Sequence, residues 1–166
     1  MPDNLEELVI KYPLEQLPDT FGKGKLRHLT VLDLKGSEDL TILPERLCSL
    51  RALRTLNLID CRSLSALPER LYELTNLEHL YMQRCLNVEK LPQSLGKLRL
   101  LKIIDLEECL QLRDLPDIVS TKTLFVQLEF LNLARCESLR KIPTWVDACE
   151  RRGGAVQRPM VLADDD

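Results

Sequence analysis

Aromatic residues make up only 4% of this 166-residue chain, with a single tryptophan, and histidine occurs just twice. A core built on large rings is therefore excluded, and the apolar payload must come from aliphatic side chains. His28 and His79 fall in different phases of the pattern below, and no third group stands ready to orient either imidazole. That argues against nucleophile–histidine catalysis. A C-x₂-C pair is absent, so the six cysteines lack the spacing of a zinc site. No apolar run approaches the ~18 residues that a membrane span needs. Net charge is −3 with both signs interspersed, and the missing basic stripe argues against nucleic acid as the main partner. Residues 1–7 show neither a basic flank nor an apolar core of a secretory leader. The stretch Gly22-Lys23-Gly24-Lys25 resembles a phosphate loop only superficially. Leu26 follows where Ser or Thr is required, and the glycine spacing is wrong. It reads as a turn.

What is present is leucine at a fixed beat. Leu8, Leu32, Leu56, Leu80 and Ile104 stand 24 residues apart, and Leu131 follows after 27. A proline after an aliphatic residue marks the same register at Pro44, Pro68, Pro92, Pro116 and Pro143. Cysteine marks it again at Cys61, Cys85, Cys109 and Cys136. Three markers in one register define a repeat array.

One unit reads L-x-x-L-x-L-x-x-C, as in Leu53 to Cys61. The L-x-L core alternates, so Leu56 and Leu58 point inward while Thr55, Asn57 and Ile59 point outward. The return path reads L-x-x-L-P-x-x-L-x-x-L, as in Leu64 to Leu74. Proline suits a first helical turn, and leucines three apart suit a 3₁₀ or single-turn segment. The pattern predicts an α/β fold, a leucine-rich repeat solenoid with one parallel concave sheet and short helical returns. Strands are expected near 6–10, 30–34, 54–58, 78–82, 102–106 and 129–133. The repeat domain is placed at residues 1–149, with about six repeats, and residues 150–166 are assigned to a flexible tail. Trp145, Val146 and Cys149 are expected to close the last return segment. Bulges on the convex side are expected at residues 22–25 and 120–123.

The cysteine column falls on the interior phase, which predicts four buried, reduced thiols that weakly satisfy neighbouring carbonyls. Cys48 and Cys149 lie on return segments and read as packing residues. Asp105, Glu107 and Glu108 form an acidic cluster, too few oxygens for calcium. No cofactor or metal is expected.

What remains is a surface. The outward residues of successive strands form columns. The candidate protein-binding set on the concave face is Thr55, Asn57, Ile59, His79, Tyr81, Gln83, Arg84, Ile103, Asp105, Glu107, Phe130, Asn132 and Arg135. The core does not need Ile59, His79, Tyr81, Ile103 or Phe130, and exposed apolar groups rimmed by charge suit a protein partner.

The unit L-x-x-L-x-L-x-x-C-x-x-L-x-x-L-P-x-x-L-x-x-L, carried best by Leu53 to Leu74, Leu77 to Leu98 and Leu101 to Pro116, resembles the repeats of plant nucleotide-binding immune receptors, especially those with an N-terminal Toll-like domain. Ras-group-related intracellular repeat proteins share L-P-x-x-L. Secreted plant receptors differ, favouring Asn in the cysteine column and G-x-I-P on the return. The resemblance implies a ligand-sensing or autoinhibitory surface; the residues themselves point to a non-enzymatic module, and reduced thiols without a secretory leader to the cytoplasm or nucleus. Its partner would be a protein ligand or another domain of the same receptor. A free-standing scaffold or regulator of signalling proteins is the alternative, and a thiol or acid-site enzyme a remote one. Met1 leading almost directly into a repeat favours a detached piece of a larger receptor.

Overall fold

The computed structural model of the chain describes residues 4–11, 13–22, 24, 26–117 and 125–160. Seven strands form one parallel sheet in strict chain order: β1 (Glu7–Val9), β2 (Val31–Asp33), β3 (Thr55–Asn57), β4 (His79–Tyr81), β5 (Ile103–Asp105), β6 (Phe130–Asn132) and β7 (Ala155–Gln157). The register pairs Leu8 with Leu32, Leu56, Leu80, Ile104 and Leu131 in turn, so the leucine phase of the sequence is the register of the sheet. Three residues per strand suffice because the ladder continues past each strand. Leu58 N–H donates to Tyr81 O at 2.8 Å, and Asp60 N–H to Gln83 O at 2.9 Å.

The leucines of every unit meet in a single continuous core, with Leu32, Leu56, Leu58, Leu80 and Leu106 wholly buried. Opposite the sheet, the L-P-x-x-L returns form 3₁₀ turns at Glu45–Ser49, Glu69–Glu73 and Gln93–Lys97, each entered from a proline. Each turn buries a leucine on its inner side, Leu47, Leu71 or Leu95. The last return is longer, an α-helix α1 (Thr144–Arg151) that buries Trp145, Val146 and Cys149. Trp145 packs on Phe125 with ring centroids 4.7 Å apart and donates its Nε1–H to Pro116 O at 2.8 Å.

The cysteine column is buried, and all six cysteines are free thiols. Each thiol of the column donates to a carbonyl of the preceding unit: Cys61 to Leu34, Cys85 to Leu58, Cys109 to Met82 and Cys136 to Leu106, at 3.1–3.4 Å. A small donor at that point stitches adjacent turns while filling the interior. Burial pushes the Cys61 and Cys136 thiols up to about 12 and raises Cys85 and Cys109 further.

The C-terminal end departs from the expected tail. Ala155–Gln157 pairs with β6 in register, Val156 opposite Leu131, and so extends the sheet beyond residue 149. Arg158 occupies the position where another unit would place its second inward leucine. Its guanidinium instead reaches Asp147 at 2.6 Å and Glu150 at 2.7 Å on α1, and Pro159 is buried behind it. These ion pairs give this edge of the described sheet polar groups in place of a second inward leucine. Residues 161–166 lie outside the described residues.

Gly154 enters this strand under tight constraint. A Cβ there would lie 2.5 Å from Cys149 Sγ and 2.9 Å from Leu128 O. Gly154→Ala is therefore expected to cost about 1–3 kcal/mol by overpacking, read as a lower urea midpoint. An unchanged midpoint would mean that the end of the array yields freely.

Of the two expected bulges, Gly22 takes a left-handed φ of 90° and rests against the first 3₁₀ turn, where Ser49 Oγ–H donates to its carbonyl at 3.1 Å. Lys23, Lys25 and the 120–123 segment lie outside the described residues.

Candidate functional site: the concave face

Because successive side chains alternate, each strand gives the concave face its first and third residues. The columns follow directly from the register: Thr55, His79, Ile103 and Phe130 in one, Asn57, Tyr81, Asp105 and Asn132 in the next. His79 and Tyr81 stack with ring centroids 6.2 Å apart, and Thr55 Oγ1 lies 3.2 Å from His79 Nδ1. Ile59, His79, Tyr81, Ile103 and Phe130 all face outward but are only partly exposed. Parallel strands ~4.8 Å apart crowd their side chains, so each shields its neighbours. His79, Ile103 and Phe130 make one column across β4, β5 and β6, and Tyr81 stacks on His79 at its β4 end.

Three residues of the candidate set have a structural task that the outward phase alone does not reveal. Asn57 Oδ1 accepts from Ile59 N–H at 3.1 Å, Asp105 Oδ1 from Glu107 N–H at 3.2 Å, and Asn132 Oδ1 from Ala134 N–H at 3.0 Å. Asp33 does the same for Lys35 N–H. These contacts hold the chain as it leaves the strand. Asp105 and Asn132 are consequently buried, not displayed as the sequence reading has them. The signal was present in the recurrence of Asp or Asn in this column.

Asp105 Oδ2 also accepts from Gln83 Nε2 at 2.7 Å. Burial raises its carboxyl above the usual range, and the neighbouring Glu107 charge adds to this. A raised folded pKa means that the folded state holds the proton more tightly than the unfolded chain. The ionised carboxylate therefore opposes folding at neutral pH, and the penalty fades as pH falls through the folded pKa. Asn fills the same turn in β3 and β6, so Asp105→Asn should raise the thermal midpoint at pH 7. The gain should shrink in acid, where the wild-type side chain is already neutral. Equal gains at both pH values would remove this account.

Beyond the strands runs a row that sequence reading did not single out as strained. Asp60, Arg84, Glu108 and Arg135 adopt left-handed φ of 57–61°, each immediately before a column cysteine. Gly36 holds the equivalent place before Ser37, and is the sole signal in the sequence. The conformation sends the next side chain inward while the N–H still reaches the following unit. It costs roughly 1–2 kcal/mol in a residue bearing a Cβ. Arg84 pairs with Asp60 at 3.0 Å and Arg135 pairs with Glu108. On the opposite rim Glu78 lies between Arg54 and Lys102, 2.7 Å from each. The Lys102 ammonium first, and then Arg54, hold the Glu78 carboxyl below its ordinary range.

Burial pushes the Cys48 thiol up to about 12 and raises that of Cys149, so both stay protonated at neutral pH. Among the described residues no group of three His, Cys, Asp or Glu side chains could hold a metal ion. No described helix is long and apolar enough to cross a membrane.

The leucine-rich repeat family matches residues 76–98, the unit that contains β4 and the third 3₁₀ turn. Among solved structures, a leucine-rich repeat protein of Leptospira interrogans aligns with a TM-score of 0.53 at 22% identity, over 79% of this chain and 40% of its own. The fold is a leucine-rich repeat solenoid. The leucine-rich repeat domain of the type III effector XopL aligns at 22% identity with a TM-score of 0.47, over 95% of this chain and 70% of its own. No curated protein sequence matches the chain. The chain thus spans well under half of the Leptospira protein, and at these identities the likeness concerns the fold alone.

Proposed function

We propose that this solenoid is a non-enzymatic protein-recognition module working inside the cell. Its concave face, centred on Tyr81, Ile103 and Phe130, receives a protein ligand or another domain of the same polypeptide. The observation that carries this reading is the apolar floor across β4–β6. The core is complete without those side chains, yet Ile103 and Phe130 lie in register with His79, and Tyr81 stacks on His79, between two charged rims. Rigid parallel strands hold them in place before any partner arrives, which lowers the ordering cost of binding. The repeat consensus, with cysteine in the turn column and L-P on the return, supports a recognition or autoinhibitory region of a plant-type immune receptor. Buried free thiols fit a reducing compartment.

Site-specific photo-crosslinking tests the proposal. A photoreactive residue at Tyr81 or Phe130 should capture a discrete partner from native lysate, and excess unlabelled chain should suppress the capture. The same group at Tyr72, on the convex 3₁₀ turn, should capture none. Specific capture from Tyr72 alone would place recognition on the other side.

A further inference from the structure

In three cross-strand pairs at the rims of the concave face the cation is more exposed than its carboxylate. The side chain of Arg84 is 44% exposed against 17% for Asp60, Arg135 64% against 27% for Glu108, and Arg54 63% against 15% for Glu78. A partner approaching the floor meets guanidiniums first, on both rims. The acids beneath act as props. Each is contributed by a neighbouring unit and fixes the arginine that it pairs with. The props on one rim come at a cost, since Asp60, Arg84, Glu108 and Arg135 all hold strained left-handed backbone that glycine would relieve. Exposed ion pairs return only about 0–1 kcal/mol each, so the pairs alone do not offset that strain.

From this layering we infer that the concave face takes an acidic polypeptide segment. Arg84, Arg135 and Arg54 read its carboxylates, while Tyr81 and Phe130 take its apolar side chains. The inference rests on the concave-face reading above and adds the chemistry of the partner. Guanidinium forks suit carboxylates, and those already oriented by a neighbouring acid lose little freedom on binding. Tyr81 lies three residues before Arg84 and Phe130 five before Arg135, so each of these units carries one aromatic and one arginine. A continuous polyphosphate fits less well, because it offers no apolar side chain to Tyr81, Ile103 and Phe130.

The probe is a fluorescent random copolymer of glutamate and tyrosine, titrated with the full chain at low salt. Comparison titrations use a lysine–tyrosine copolymer, polyglutamate and single-stranded oligothymidylate. The glutamate–tyrosine copolymer should bind at least about tenfold more tightly than each of the others and weaken as salt is added. Arg84→Glu with Arg135→Glu should weaken it about tenfold or more, and the gentler Arg84→Gln with Arg135→Gln should do so in part. Thermal melts of both doubles confirm that the fold is kept. Arg46→Glu on the convex turn should change nothing. Loss of binding with Tyr81→Ala but not with either arginine double would retain the concave surface and overturn the acidic partner. Loss with Arg46→Glu alone would overturn both readings. Preference for oligothymidylate, equal binding of the two tyrosine copolymers, or no binding of the glutamate–tyrosine copolymer would each overturn the inference.

Discussion

Cys85→Asp is expected to abolish cooperative folding. Cys85 sits wholly buried in the middle of the array, its Sγ–H donating to Leu58 O at 3.2 Å. An ionised carboxylate there would face that carbonyl, leucines and further thiols, with no cation in reach. Burying such a group costs several kcal/mol, whether it is paid as desolvation or as a forced proton. A domain of this size has only about 5–15 kcal/mol in total. In a solenoid the damage does not stay local, because each unit leans on both neighbours. Cys85→Ser, which keeps a donor for Leu58 O, should cost far less. Serine already holds the equivalent place at Ser37. Urea melts followed by circular dichroism separate the cases. A Cys85→Asp protein with a wild-type midpoint would show that the column is not dry.

Tyr81→Ala and Phe130→Ala should act in the opposite way, with a large effect on binding and little on stability. Both rings lie on the outer side of strands whose inner leucines make the core. Truncating a central aromatic of an interface typically costs ~2 kcal/mol or more, equivalent to a tenfold or greater loss of affinity. The thermal midpoint should move little, apart from the loss of the His79–Tyr81 stack. Once a partner is in hand, calorimetric titration of the two variants beside Tyr72→Ala gives the comparison. Unchanged affinity in both concave variants would remove the apolar anchors from the account.

The first six strands were legible in the sequence because one leucine phase encodes both the inward direction and the register. Each expected span contains its observed strand. The seventh strand was not legible, since Ala155–Gln157 has one inward apolar residue, Val156, where the other units carry a pair of inward aliphatic residues. Its second inward position is Arg158, whose partners Asp147 and Glu150 are brought near only when α1 folds back. A one-dimensional pattern cannot show that contact. The concave columns were legible for the same reason as the strands, and His79 does stand beside Thr55 and Tyr81. Which outward residues are displayed was less so. Phase gives direction, whereas depth depends on what a side chain bonds to, and Asp105 and Asn132 turn back onto their own backbone. The left-handed row was hidden because Arg and Glu carry no preference for that conformation, and Asp60 is the one residue of the four whose type favours it. Only Gly36 in the second unit hinted at it.

The concave-face claim is tested most directly by seeing where the partner sits. A crystal structure of the chain with the protein that it captures should place partner atoms over the outer side of β4–β6. Tyr81 and Phe130 should be buried there, and Arg84 and Arg135 bonded to partner carboxylates. A partner seated instead on the 3₁₀ turns around Tyr72 and Gln93, with the floor between the charged rims still open, would contradict the account.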